Sequence, residues 1–270
     1  MSMTTDVSLM QMKNLIEINR ANIDLDDYNK IFINLSSILN TLFYEGIKIE
    51  LEDESKLVEY SNNLKTAFKL SIMEIYRKDK EYYIYYSSQP SYNNKYEPMW
   101  DKYLNEYKFQ FPMDRIYKEF LQAVNGLSNT MKNIISIDTG NVESAYFPFY
   151  HSLHHTVDKS LIISRDLMDL LNIQQGFHVF DSRTLFKDLN RHTSKKITQV
   201  PNFLFKYYLY LLGISKHSYN GIDRMGKLTS AKYLVNNIDN LENDPIFKNE
   251  SFIIFDIRQN LLNNNISFKY

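Results

Sequence analysis

"DDYNKIFINLSSILNTLFYEG", residues 26–46, is the stretch on which a reading of the fold turns. Tyr28, Ile31, Phe32, Leu35, Ile38, Leu39, Leu42 and Phe43 recur at i, i+3, i+4 and i+7. Acidic residues open the run and Gly46 closes it, the punctuation of an amphipathic helix. The same periodicity predicts a shorter helix over about 6–20 and a longer one over about 54–78, where Leu57, Leu64, Phe68, Ile72 and Ile75 share a face. Pro112 occupies a favourable first-turn position for a helix striped by Met113, Ile116, Phe120, Val124, Leu127, Met131 and Ile134. Further helices are expected near 148–172, 182–193, 201–213 and 227–240.

Strand candidates are few: "GIKIELE" at 46–52 alternates, "EYYIYY" at 81–86 is tyrosine-dense, and "SFIIFDI" at 251–257 is apolar. Seven glycines in 270 residues is well under half the usual share of about 7%. Few positions can then require positive φ, which argues against a turn-dense all-β fold. The expected fold is mainly α, a multi-helix protein in two lobes with at most a small β element. An acidic helical lobe over 1–136 and a basic one over 147–270 meet at "SIDTGNVESAYFP", unless the chain is one continuous domain. The four tyrosines of "EYYIYY" read as a packed rim, with a stacking platform for bases as the alternative.

A composition 44% hydrophobic and 14% aromatic excludes intrinsic disorder. Without cysteine there is no disulfide, thiolate metal site or cysteine nucleophile. The amino-terminal stretch lacks a basic segment followed by an apolar core, and no run approaches the roughly 20 apolar residues that span a bilayer. An intracellular product is expected, with no membrane partner.

"NGIDRMGKLTS" at 220–230 approaches a phosphate-binding P-loop, but Leu228 stands where that motif needs a hydroxyl. The upstream "NFLFKYYLYLLGISKHSYN" reads as helix and exit loop rather than strand, so the stretch is expected to be a basic turn leading into a helix that starts near Lys227. No cofactor is implied.

Tyr150, His151, His155 and Asp158 in "YHSLHHTVD" keep the spacing of, and so resemble, the opening metal-site motif of cyclic-nucleotide phosphodiesterases, while Ser152 and Thr156 depart from it. The resemblance implies a proton donor at His151 and a metal ligand at His155. That family also needs a His-Asp dipeptide, which this chain lacks. On a helix over 148–172, moreover, Leu153, Val157, Leu161, Ser164, Met168 and Leu171 form the apolar stripe, and His151, His155 and Asp158 fall opposite it. The expectation is a solvated face, with no catalytic residue assigned and a metal-dependent phosphohydrolase as one alternative.

Net charge is −1, yet charge is segregated. Acids dominate from Asp24 to Glu59; from Arg183 to Lys227 the sign reverses. Arg183, Lys187, Arg191 and Lys195 fall at successive i+4 steps, a cationic ridge if the segment is helical, with Lys196, Arg224 and Lys227 nearby. Such opposite blocks suit docking between copies or partners. With no complete catalytic set in view, the leading expectation is a non-enzymatic assembly protein, a viral or phage virion component. Nucleic-acid binding through the 183–227 ridge is the alternative.

Overall fold

The computed structural model describes residues 23–38, 54–87, 113–140, 142–181, 184–187, 200–213, 220–249, 252, 255–263 and 265–268. Its centre is a six-stranded mixed sheet: β1 (Lys30–Asn34), β2 (Glu81–Tyr86), β3 (Ile134–Asp138), β4 (Ser160–Ile163), β5 (His178–Asp181) and β6 (Thr184–Phe186). The strand order is β3-β2-β1-β4-β5-β6, with every pair parallel except the antiparallel edge pair β5–β6. The helices are α1 (Glu54–Ile75), α2 (Met113–Thr130), α3 (Tyr146–His154), α4 (Phe205–Leu212), α5 (Lys227–Asn236) and α6 (Ile257–Asn263), with a 3-10 helix over Leu167–Gln175.

This is an α/β architecture, and the expectation of a mainly α fold is wrong. The error begins in residues 26–46. Lys30–Asn34 is the central strand, and only residues 35–38 are α-helical among those described there. Ile31, Phe32 and Ile33 are all buried because layers of helix cover both faces of the sheet. A strand covered on both sides shows no polar alternation, so a continuous apolar run is compatible with either period.

Ile31 and Ile33 face one layer with Tyr82, Ile84, Leu161 and Ile163, against Phe68, Ile72 and Ile75 of α1 and Val124 and Leu127 of α2. Phe32 faces the other with Tyr83, Tyr85, Ile162 and Val179, against Phe147, Phe177, Phe205 and Tyr208. Phe32 stacks on Tyr83 with ring centroids 4.7 Å apart and meets Phe177 edge-on at 5.1 Å. The four tyrosines of β2 are therefore core residues split between two layers, neither rim nor platform.

The expected helix over 148–172 is likewise divided. α3 stops at His154, Ser160–Ile163 is a wholly buried strand, and Leu167–Gln175 is 3-10 helix capped by Asp166. Residues 184–186 are strand where a helix over 182–193 was expected, and Phe252 and Ile257 are helical where "SFIIFDI" suggested a strand. α1, α2, α4 and α5 agree with the periodicity that predicted them. The expected helix over 6–20 and the strand candidate at 46–52 lie outside the described residues.

Candidate nucleic-acid scaffold and its strand-end crevice

The chain passes from β1 to β2 on one side, and β3 is followed by β4 on the other side of β1, so the order reverses between β1 and β4. In parallel sheets the crevice beyond the carboxyl ends of two such strands is the usual ligand position. Here Asn34, the last residue of β1, is next in register to Ser164, which follows β4. Residues 35–38 turn into helix at once, and Ser37 bridges the two strands: its Oγ donates to the Asn34 carbonyl at 2.9 Å and lies 3.0 Å from Ser164 Oγ. The Ser37 backbone N–H donates to Asn34 Oδ1 at 2.9 Å, which orients the amide.

Beneath them lies Asp169, fully buried in the 3-10 helix that follows β4. Asn34 Nδ2 donates to its Oδ2 at 2.6 Å and the Tyr85 hydroxyl donates to its Oδ1 at 2.8 Å. Ser144 Oγ reaches Asn34 Oδ1 at 3.3 Å. Burial, reinforced by the negative charge of Asp166, pushes the Asp169 carboxyl up to about 7. The same burial and the neighbouring Asp169 hold the Tyr85 hydroxyl well above its ordinary range. The arrangement can store a proton and lock two strands together.

A divalent cation does not fit this donor set. Hard cations take several oxygens, usually from more than one carboxylate, whereas the groups hydrogen-bonded to Asp169 are the Asn34 amide N–H and the Tyr85 and Ser164 hydroxyls. Asp166 Oδ1 accepts from the Met168 N–H at 2.9 Å, and Asp138 Oδ1 from the Gly140 N–H at 2.8 Å. Among the described residues no group of three His, Asp or Glu side chains could hold a metal ion.

The histidine cluster lies at the opposite end of the sheet, beside the amino ends of β1 and β4, where Lys30 Nζ donates to the Thr156 carbonyl at 2.9 Å. His151 does not lie on a polar face. It is 1% exposed, edge-on to Phe32 at 5.1 Å and stacked on His155 at 4.4 Å. Burial, with the charges of His155, Lys30 and His154, lowers its pKa to about 3, so the ring is neutral. His155 and Asp158 are exposed beyond the end of α3. The stripe that placed the three residues together required a helix that ends at His154.

The cationic ridge does not form a helical line where it is described, because Thr184–Phe186 is strand with Phe186 buried. Lys187 is exposed just past it; Arg183, Arg191, Lys195 and Lys196 lie outside the described residues. Arg224 and Lys227 are both exposed at the turn between α4 and α5. Gly221 there has φ +74°, and a Cβ on it would stand 2.5 Å from the Leu212 carbonyl carbon. As expected, "NGIDRMGKLTS" is a turn preceded by a helix.

Sequence reasoning passed over Asn34 and Asp169, read Tyr85 as part of a tyrosine rim, and placed Ser164 on a helical stripe. The signal available was the recurrence of short β-branched runs, "KIFIN", "NIISID" and "KSLIIS", each ending in a small polar or acidic residue.

No protein-family model matches the chain, and no curated protein matches it significantly. Among solved structures it is similar to the T5 5'-exonuclease with divalent metal ions (zinc) bound, at TM-score 0.52 and 13% identity, covering 88% of each chain. It is also similar to the T5 D15 protein co-crystallised with metal ions, at TM-score 0.52 and 12% identity, covering 88% of this chain and 87% of that one. This likeness concerns the fold. It overturns the reading as a non-enzymatic virion or assembly protein, which rested on helices and charge blocks, and it is compatible with nucleic acid as a partner. Among the described residues no helix is long and apolar enough to cross a membrane. The chain carries the α/β fold on which a T5 5'-exonuclease is built.

Proposed function

We propose that the protein binds nucleic acid through the phosphate backbone, on an α/β scaffold of the 5'-exonuclease type. The observation that carries this reading is the entry to α5. Gly226 occupies the cap position with no side-chain hydrogen bond to the first turn, and that turn has no acidic residue. Arg224, whose Nε lies 3.6 Å from Asp223 Oδ2, and Lys227 flank it in solvent, and a Cβ on Gly226 would meet open space. An uncapped helix start combines outward N–H groups with the positive end of the helix dipole, which suits an anion. The likeness to a 5'-exonuclease supports phosphodiester as that anion. Lys187, exposed after β6 at the sheet edge, and Arg183, Arg191, Lys195 and Lys196 are proposed as further cations along the same backbone.

The test is fluorescence anisotropy with labelled single- and double-stranded DNA and RNA across a salt series. Removing both cations with Arg224→Ala and Lys227→Ala should weaken binding to every sequence alike. It should also reduce the slope of log K against log salt by about 1 for each phosphate that is no longer neutralised. Unchanged affinity and slope in the double variant would remove α5 from the interface, and absence of binding by the parent at low salt would refute the reading.

A further inference from the structure

We infer that the crevice at the carboxyl ends of β1 and β4 is a metal-free hydrogen-bonded hub, so that this chain holds nucleic acid without divalent-ion hydrolysis there. The second half of that statement rests on the function proposed above; the first stands on the residues alone. Both similar T5 structures were obtained with metal ions, and in this chain the strand order reverses between β1 and β4, the usual ligand position of a parallel sheet. Among the described residues the groups standing between the two strand ends are nevertheless Asn34, Ser37, Ser144 and Ser164, all buried and uncharged, with Asp169 beneath them and Asp166 beside it.

Their orientation matters as much as their identity. Asn34 turns its oxygen toward the Ser37 N–H and its nitrogen toward Asp169. A cation placed against Asp169 would meet the Asn34 and Tyr85 protons, whose donor atoms lie 2.6 and 2.8 Å from the two carboxylate oxygens. To bind there it would have to displace both donors and reverse the amide, which would take the acceptor from Ser37. The network already satisfies Asp169 with its own donors, as a buried carboxyl requires.

The full chain titrated with Mn²⁺ decides this, read by calorimetry and by melting temperature in EDTA and in Mn²⁺. The parent and Asp169→Asn are expected to show the same weak, non-stoichiometric uptake, and the parent's melting temperature should not rise with Mn²⁺. Asn34→Asp sets a second carboxylate against Asp169. It should melt below the parent in EDTA and recover in Mn²⁺, since a ligand that binds only the folded state raises its stability. One Mn²⁺ bound per parent chain at submillimolar Kd and abolished in Asp169→Asn would overturn the inference, as would Mn²⁺-dependent cleavage of a labelled strand that disappears in the same variant. Failure of every nucleic acid to bind would sink the proposed function and leave the Mn²⁺ result on the crevice intact.

Discussion

Replacing Asp169 by Asn should change how stability depends on pH, in a direction set by two buried groups of opposite habit. In the folded chain Asp169 keeps its proton to about 7, against an ordinary value of 3.8. Between those values the folded state binds the extra proton, so this contribution is complete below the ordinary value and is lost as pH rises through about 7. Three units at about 1.4 kcal/mol each make it on the order of 4 kcal/mol. His151 acts the other way. Its folded pKa is lowered from 6.5 to about 3, so its contribution is complete above 6.5 and is lost as pH falls toward about 3. That amounts to roughly 5 kcal/mol over the full span. His178, lowered chiefly by burial and then by Lys187, adds to the same side.

From about pH 4 to 6.5 the two slopes nearly cancel, and the parent should show a flat profile. Asp169→Asn leaves the histidines alone, so stability should climb by about 1.4 kcal/mol per pH unit across that window. His151→Phe leaves Asp169 alone, so stability should fall with rising pH by a similar amount. Asp169→Asn also sets an amide N–H₂ against one of two donors, a pH-independent cost of about 1–3 kcal/mol, so the slope rather than the level is diagnostic. Urea midpoints at several pH values, with the m-value checked for constancy, measure it. Parallel profiles for the parent and both variants would refute the assignment of these two groups.

Two further perturbations test the scaffold. Gly221→Ala must place a Cβ within 2.5–2.6 Å of the Leu212 and Gly213 backbones at φ +74°; a loss of at least about 2 kcal/mol is expected, and an unshifted urea midpoint would show that the α4–α5 turn relaxes freely. Phe32→Ala empties a fully buried site between Tyr83, Phe147 and Phe177, at a cost of about 3–5 kcal/mol; a cost under about 1 kcal/mol would mean that this layer is not close-packed.

By itself the sequence determined the elements that bury one face. α1, α2 and α5 each bury one face and leave the other exposed, and a single stripe leaves its 3.6-residue period in the pattern. The turn at 220–226 was legible too, because Gly221 adopts positive φ and Leu228 breaks the P-loop pattern. What only the tertiary structure decided were β1 and β4 and everything built on them. "KIFIN" and "SLII" are covered on both sides, so neither a period of two nor one of 3.6 survives in them, and local pattern had no means of separating strand from helix. The crevice depends on pairings of longer range still: Asn34 and Asp169 are 135 residues apart, and Tyr85 and Asp169 are 84 apart. Each reads alone as an ordinary residue. Parallel pairing brings them to one end of the sheet, and burial there turns a common aspartate into a carboxyl that keeps its proton.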